Sequence, residues 1–168
     1  GYGYQLTPKK ALSQPGQFAC EECLDVIGPK GELKRVRILG PERSSTQIEL
    51  AQTDCRTIGV NASVRSSGDT KGTPGVTLRG PLGELTVPEG VIVADRHLHM
   101  TPAQAAAFGL ADGDRVQIRI DGIKPGIMGG VLVRANSKCA LDFHIDTDDG
   151  NAFLLRQGQL VTVLGKEE

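Results

Sequence analysis

The chain has 168 residues, enough to bury a substantial core in one domain or two small ones. Its net charge of -1, with 19 basic and 20 acidic residues interspersed, offers no basic stripe for a phosphate backbone, and with no Trp it lacks stacking platforms, which sets nucleic acid aside. No apolar run is long enough to cross a bilayer and no charged segment followed by an apolar signal core opens the chain, so a soluble, cytoplasmic protein with no membrane partner is expected.

Glycine and proline recur at short intervals between segments rich in Val, Ile, Leu and Thr, which is an all-β pattern. Ala19-Cys20-Glu21-Glu22-Cys23 has zinc or redox spacing, but Cys55 and Cys139 are isolated and no second pair completes a four-ligand site. Buried thiols acting as small apolar residues are the better account, and no disulfide framework is expected. Strands are predicted at 32–39 and 46–50, and between them Gly40-Pro41-Glu42-Arg43 sets a guanidinium beside a tight turn, where it can take a phosphate or carboxylate bidentately. A short helix is predicted over 53–58, stopped by Gly59; Arg65-Ser66-Ser67-Gly68 then gathers a cation, hydroxyls and amides. Further strands are predicted at 76–79, 83–87 and 90–94. Gly28-Pro29-Lys30-Gly31-Glu32-Leu33 returns as Gly80-Pro81-Leu82-Gly83-Glu84-Leu85, the echo expected of a duplicated β unit.

Arg96-His97-Leu98-His99-Met100 follows, leading into a helix with Thr101 as N-cap, Pro102 in the first turn, Gln104 closing a capping box and Gly109 as its stop. Strands at 115–120, 130–133, 141–145 and 160–164 complete the pattern. All three histidines of the chain fall in two places, His97 and His99 in the first motif and His144 in Phe143-His144-Ile145-Asp146. In an extended strand residues two apart share a face about 7 Å apart, so one cation can lie between His97 and His99, with His144 as the remaining imidazole. Zinc suits neutral imidazole. The bland alternative is surface histidines flanking a strand. If the echo reflects duplication, Glu49 corresponds to His144 and is a fourth candidate ligand; otherwise it is a solvent-facing strand glutamate. Asp146 and Asp148 are expected to accept a ring N–H of His144 and fix its tautomer, with Asp149 on a solvated turn. No phosphate-cradling glycine loop and no nucleophile elbow is present.

Together, Val36-Arg37-Ile38-Leu39-Gly40-Pro41, Thr46-Gln47-Ile48-Glu49, Arg65-Ser66-Ser67-Gly68-Asp69, Arg96-His97-Leu98-His99-Met100 and His144-Ile145-Asp146-Thr147-Asp148-Asp149-Gly150-Asn151-Ala152 resemble the microcompartment-type phosphate propanoyltransferases, a family of phosphotransacylases, from about Tyr4 to Ala152. The resemblance implies a mainly β fold of two similar small β-barrel domains with short helices and the active site between them, divided here as 1–80 and 81–168. It implies interconversion of acyl-CoA and phosphate with acyl phosphate and CoA at a pair of zinc ions. Residue by residue it assigns one zinc to Glu49, His97, His99 and His144, phosphate to Arg43, and the coenzyme A site to Lys10, Arg37, Leu39, His144 and Asn151. The family's earlier His-x-His, which serves the second zinc, falls in register ahead of Tyr2, as does any peptide directing the enzyme into a microcompartment; ligands for one zinc lie within this sequence. A homodimer in the bacterial cytoplasm or inside a microcompartment is expected. Two other readings stay open: a zinc hydrolase of esters or amides with an aspartate near His144 as base, and a metal-stabilised β scaffold that binds a partner. No segment identifies the acyl pocket. Neither Cys55 nor Cys139 stands by a motif that would activate it as a nucleophile.

Overall fold

The computed structural model describes residues 5–167, so Tyr4, at the start of the resemblance, lies outside the described residues. The chain divides into two compact units, Gly1–Ala94 and Asp95–Glu168. In the first, β1 (Pro8–Ala11), β2 (Phe18–Ile27) and β3 (Glu32–Gly40) are followed by β4 (Ile48–Glu49), α1 (Gln52–Ile58), β5 (Val64–Arg65), β6 (Val76–Gly80), β7 (Gly83–Val87) and β8 (Val91–Ala94).

β2 organises this unit. β3 runs antiparallel along one of its edges, while β1 and β6 share the other, with β7 beyond β6. Register shifts between Ala19 and Cys23 and again between Leu24 and Val26 break the two-residue period of β2, so its run of Cys, Glu and Asp does not look like a strand on paper. A separate three-stranded parallel sheet has the order β4-β8-β5. Its central strand, Val91-Ile92-Val93, is buried on both faces, the composition a parallel centre requires. Cys55 and Ile58 of α1 are fully buried with Val26, Val76 and Val91 in the core, and Gly59 ends the helix in the left-handed conformation at φ 76°. Gly28 is needed at the turn after β2 because a Cβ there would stand 2.4 Å from the backbone oxygen of Ile58.

Arg79 of β6 ties β2 to β3 by pairing with Asp25 at 3.0 Å and with Glu32. A backbone hydrogen bond from Arg35, then Arg79 itself, holds the Asp25 carboxyl below its ordinary range; hydrogen bonding to Arg79, then Lys34, does the same for Glu32. Depressed folded values mean the stabilisation is complete above the unfolded carboxylate range near pH 4 and is lost as pH falls through the folded values. Arg79→Met is therefore expected to flatten the acid limb of the stability curve while leaving its slope near neutrality unchanged, measured by urea unfolding between pH 3 and 7.

The second unit comprises β9 (His97–Met100), α2 (Pro102–Ala107), β10 (Arg115–Ile120), β11 (Gly126–Ala135), β12 (Asp142–His144), α3 (Thr147–Phe153) and β13 (Thr162–Lys166). They form one five-stranded sheet in the order β12-β9-β11-β10-β13. β10 alternates strictly, with Val116, Ile118 and Ile120 inward and Arg115, Gln117 and Arg119 outward. The inward residues meet Leu98, Met100, Met128, Val131 and Val133 in a core of this unit's own. The capping box of α2 is present as expected, with Thr101 accepting from the Gln104 backbone and Gln104 from that of Thr101.

Three expectations change. The fold is mainly β with short helices, but among the described residues the strand pairing closes no barrel: β12 and β13 stand at opposite ends of the second sheet. The division falls after β8 rather than after residue 80, because β7 pairs with β6 and β8 with β4 and β5. The Gly-Pro echo marks two turns of one sheet, between β2 and β3 and between β6 and β7, so it gives no register between Glu49 and His144; β4 pairs in parallel with β8, whereas β12 runs antiparallel to β9. Among the described residues no helix is long and apolar enough to cross a membrane.

Candidate metal centre and substrate-binding residues

The second unit brings the three histidines together. On β9 the buried Leu98 and Met100 anchor one face in the core, which turns His97 and His99 to the other. β12 lies against β9 with His144 opposite His97 and Asp142 opposite His99. Ring centroids are 4.6 Å apart for His97 and His99, 4.8 Å for His99 and His144, and 5.2 Å for His97 and His144. One ring nitrogen from each lies within 4.8 Å of the others, the spacing of ligands around one ion.

The hydrogen bonds around the rings select the tautomers. His97 Nδ1–H donates to the Asp95 carbonyl at 2.7 Å, which leaves the ring's lone pair on Nε2. That Nε2 faces His99 Nε2 at 3.1 Å, a spacing that calls for a shared proton or cation. His144 Nε2–H donates to Asp142 Oδ2 at 2.9 Å, placing its lone pair on Nδ1. Burial first, then the neighbouring rings of His97 and His144 and the guanidinium of Arg134, push His99 down to about 4. His99 is thus neutral near pH 7, the form a metal takes. The three imidazoles, each offering a ring nitrogen within 4.8 Å of the others, fit zinc.

Three features escaped sequence reasoning. Asp142, two residues before His144, takes a ring N–H of that histidine. Asp146 instead caps α3, accepting from the Asp149 backbone at 2.9 Å, and Asp148 sits in that helix's first turn. Asp149 is no solvated turn residue: it pairs with Arg96 at 2.9 Å, and burial raises its carboxyl pKa. Cys139 Sγ stands 3.4 Å from His99 Nδ1, although nothing in the sequence joins them. None of the four cysteines forms a disulfide, and Cys20 and Cys55 are fully buried, as apolar filler should be.

In the first unit Glu49 and Arg43 sit in one polar cluster. Arg43 Nη1 donates to Ser67 Oγ at 3.0 Å, and that hydroxyl lies 3.5 Å from Glu49 Oε1. Arg43 and Glu49 also border an open cleft of about 410 Å³ whose apolar wall includes Leu24, Val26, Val36 and Leu78. Lys10 and Leu39 flank Ala19 from β1 and β3, so the pleat puts them on one exposed face with Arg37, two residues before Leu39. One guanidinium nitrogen of Arg37 is held by the carbonyls of Cys20 and Glu21, both at 2.8 Å. Asn151 lies exposed on α3 of the second unit. The carboxylate therefore stands on one unit and the imidazoles on the other.

Comparison with known proteins supplies the family. The family described as phosphate propanoyltransferase matches residues 1–156. A phosphate propanoyltransferase of Thermotoga maritima is 46% identical over 165 residues, covering 98% of this chain and 79% of that protein. The corresponding proteins of Salmonella typhimurium and Enterococcus faecalis are 48% and 49% identical, over 89% and 94% of this chain and 72% and 75% of theirs. A chain matched over nearly its whole length belongs to the phosphate propanoyltransferase family of acyltransferases.

Proposed function

We propose that this protein transfers a short acyl group between coenzyme A and inorganic phosphate, converting acyl-CoA and phosphate to acyl phosphate and free CoA and back. The observation that carries the reading is the cluster of three imidazoles within ligand distance of one another in a member of this family. His97, His99 and His144 would hold zinc, with Glu49 as the fourth ligand by resemblance. When bound, zinc supplies Lewis-acid polarisation of the reacting carbonyl.

The chain's own residues do the rest. Arg43 takes two oxygens of the phosphate dianion and holds them in line for attack, while Ser67 keeps its guanidinium from swinging away. Lys10 and Arg37 offer cations to the phosphates of coenzyme A, and Leu39 gives its apolar part a contact. Asn151 and His144 contribute to the same site by resemblance. Collecting both reactants before reaction replaces a bimolecular encounter, an advantage of about 7 kcal/mol or more. No covalent acyl-enzyme is needed, because phosphate is itself the nucleophile. A second zinc, a homodimer and a place in the bacterial cytoplasm or a microcompartment belong to the same proposal.

Incubation with acetyl-CoA or propanoyl-CoA and a thiol reagent tests it. Thiol release is expected only when phosphate is added, with acyl phosphate formed in equal amount. Release without phosphate would replace this reading with a hydrolase.

A further inference from the structure

Gln47 has no part in the chemistry described so far, yet its side-chain amide makes three hydrogen bonds beside Arg43 and Glu49. Gln47 and Glu49 are two residues apart at β4 and share a face, while Ile48 and Leu50 point into the core. The Gln47 amide nitrogen donates to the Glu49 carboxylate and to Ser67 Oγ at 2.9 Å, and its carbonyl oxygen accepts the Gly68 N–H at 2.6 Å. Chemistry fixes the orientation of the amide, since a backbone N–H can only donate and a carboxylate can only accept. Ser67 Oγ in turn takes the Arg43 guanidinium at 3.0 Å.

We propose that Gln47 is a positioning residue whose amide sets the Glu49 carboxylate and, through Ser67, the Arg43 guanidinium, so that the metal-binding and phosphate-binding groups of this unit are presented in one fixed relation. The proposal rests on the roles given above to Glu49 and Arg43. Glu49 is exposed and has three side-chain torsions, so an untethered carboxylate would sample many rotamers. A donor on one oxygen selects among them and leaves the other oxygen's lone pairs for an ion. The parallel sheet explains why the cluster forms here. β4 and β5 lie on either side of β8, and the loop after Arg65 folds back to the amino end of β4, where Gly68 and Ser67 meet the Gln47 amide.

A plain structural role, tying the Ser66–Asp69 loop to β4, needs only the bond from Gly68. Gln47→Glu separates the two, because glutamate can still accept from Gly68 but cannot donate to Glu49 and repels it. Gln47→Met, of similar length, removes every bond. Three quantities are read: Co(II) affinity by competition with a chromophoric chelator, the visible d–d spectrum of the Co(II) protein, and kcat and KM for phosphate, with unfolding curves as the check on folding. Both variants are expected to lose about 10-fold to 100-fold in Co(II) affinity, the usual cost of removing a group that orients a ligand. KM for phosphate should rise more than kcat falls, the d–d band should shift, and the midpoint of unfolding of Gln47→Glu should stay at the parent value. Wild-type Co(II) affinity or wild-type phosphate kinetics in Gln47→Glu overturns the proposal and leaves Gln47 a loop tie; should Gln47→Glu fail to fold, the same two readings on Gln47→Met decide. Glu49→Gln run in parallel tells the two failures apart: if it binds Co(II) and turns over as the parent does, the ligand assignment itself is wrong and the proposal falls with it.

Discussion

His99→Ala is expected to lower zinc affinity by more than about 100-fold and to reduce phosphate-dependent thiol release in proportion, because removing a ligand must cost more than the 10-fold to 100-fold typical of removing its support. His99 is the middle ring of the three, with centroids 4.6 Å from His97 and 4.8 Å from His144, so no other imidazole can take its place. Its burial keeps it neutral, and its lone pair is available to a metal without displacing a proton near pH 7. The fold should survive, since β9 is anchored by Leu98 and Met100 on its opposite face. Asp142→Asn gives the graded control. It keeps the shape but weakens the acceptor of His144 Nε2–H, so it should fall between the parent and His99→Ala. Zinc competition and thiol release are measured on all three proteins. Parent-like zinc affinity in His99→Ala would mean the cluster is not a metal site.

Much of this site was legible because strand chemistry is local. Two histidines around a buried Leu98 and before a buried Met100 declare which face they occupy, and β10 and α2 announce themselves through alternation and a capping box. What sequence reasoning missed depends on pairing across the fold. Asp142 reaches His144 because both lie on the same face of β12, a relation hidden by the richer cluster of acids that follows, and those acids turn out to start a helix. The bulges of β2 erased the period that would have revealed it as the organising strand. Gln47 and Ser67 are ordinary polar residues on paper; only the fold brings them together, with β4 and β5 on either side of β8 and the loop after β5 turned back to β4. The Gly-Pro echo misled for the opposite reason, being a local turn signal that carried no information about the domains. Gly28 is demanded by contact with α1, whereas Gly83, at φ 148°, is demanded by backbone conformation with nothing within 4 Å of its Cβ position.

Arg43→Ala should cost about 100-fold to 1000-fold in kcat/KM for phosphate, and much less for acyl-CoA. A guanidinium engages phosphate through two parallel charge-assisted hydrogen bonds, each worth about 1.5–3 kcal/mol, and every 1.4 kcal/mol is tenfold. Arg43 is exposed and its guanidinium donates to the Ser67 hydroxyl, so its loss leaves no buried charge unpaired and stability should stay within about 0.5 kcal/mol of the parent. Arg43→Lys should recover only part of the loss. Lysine keeps the charge but presents a point cation where a planar fork is needed, so it restores attraction without fixing the direction of approach. The two variants therefore separate charge from geometry: KM for phosphate should improve from Ala to Lys more than kcat does. In the opposite direction, with acyl phosphate and CoA as substrates, the same hierarchy must appear for acyl phosphate, since one site serves both directions. Equal losses for phosphate and acyl-CoA in Arg43→Ala would show that this arginine supports the cleft as a whole rather than the phosphate.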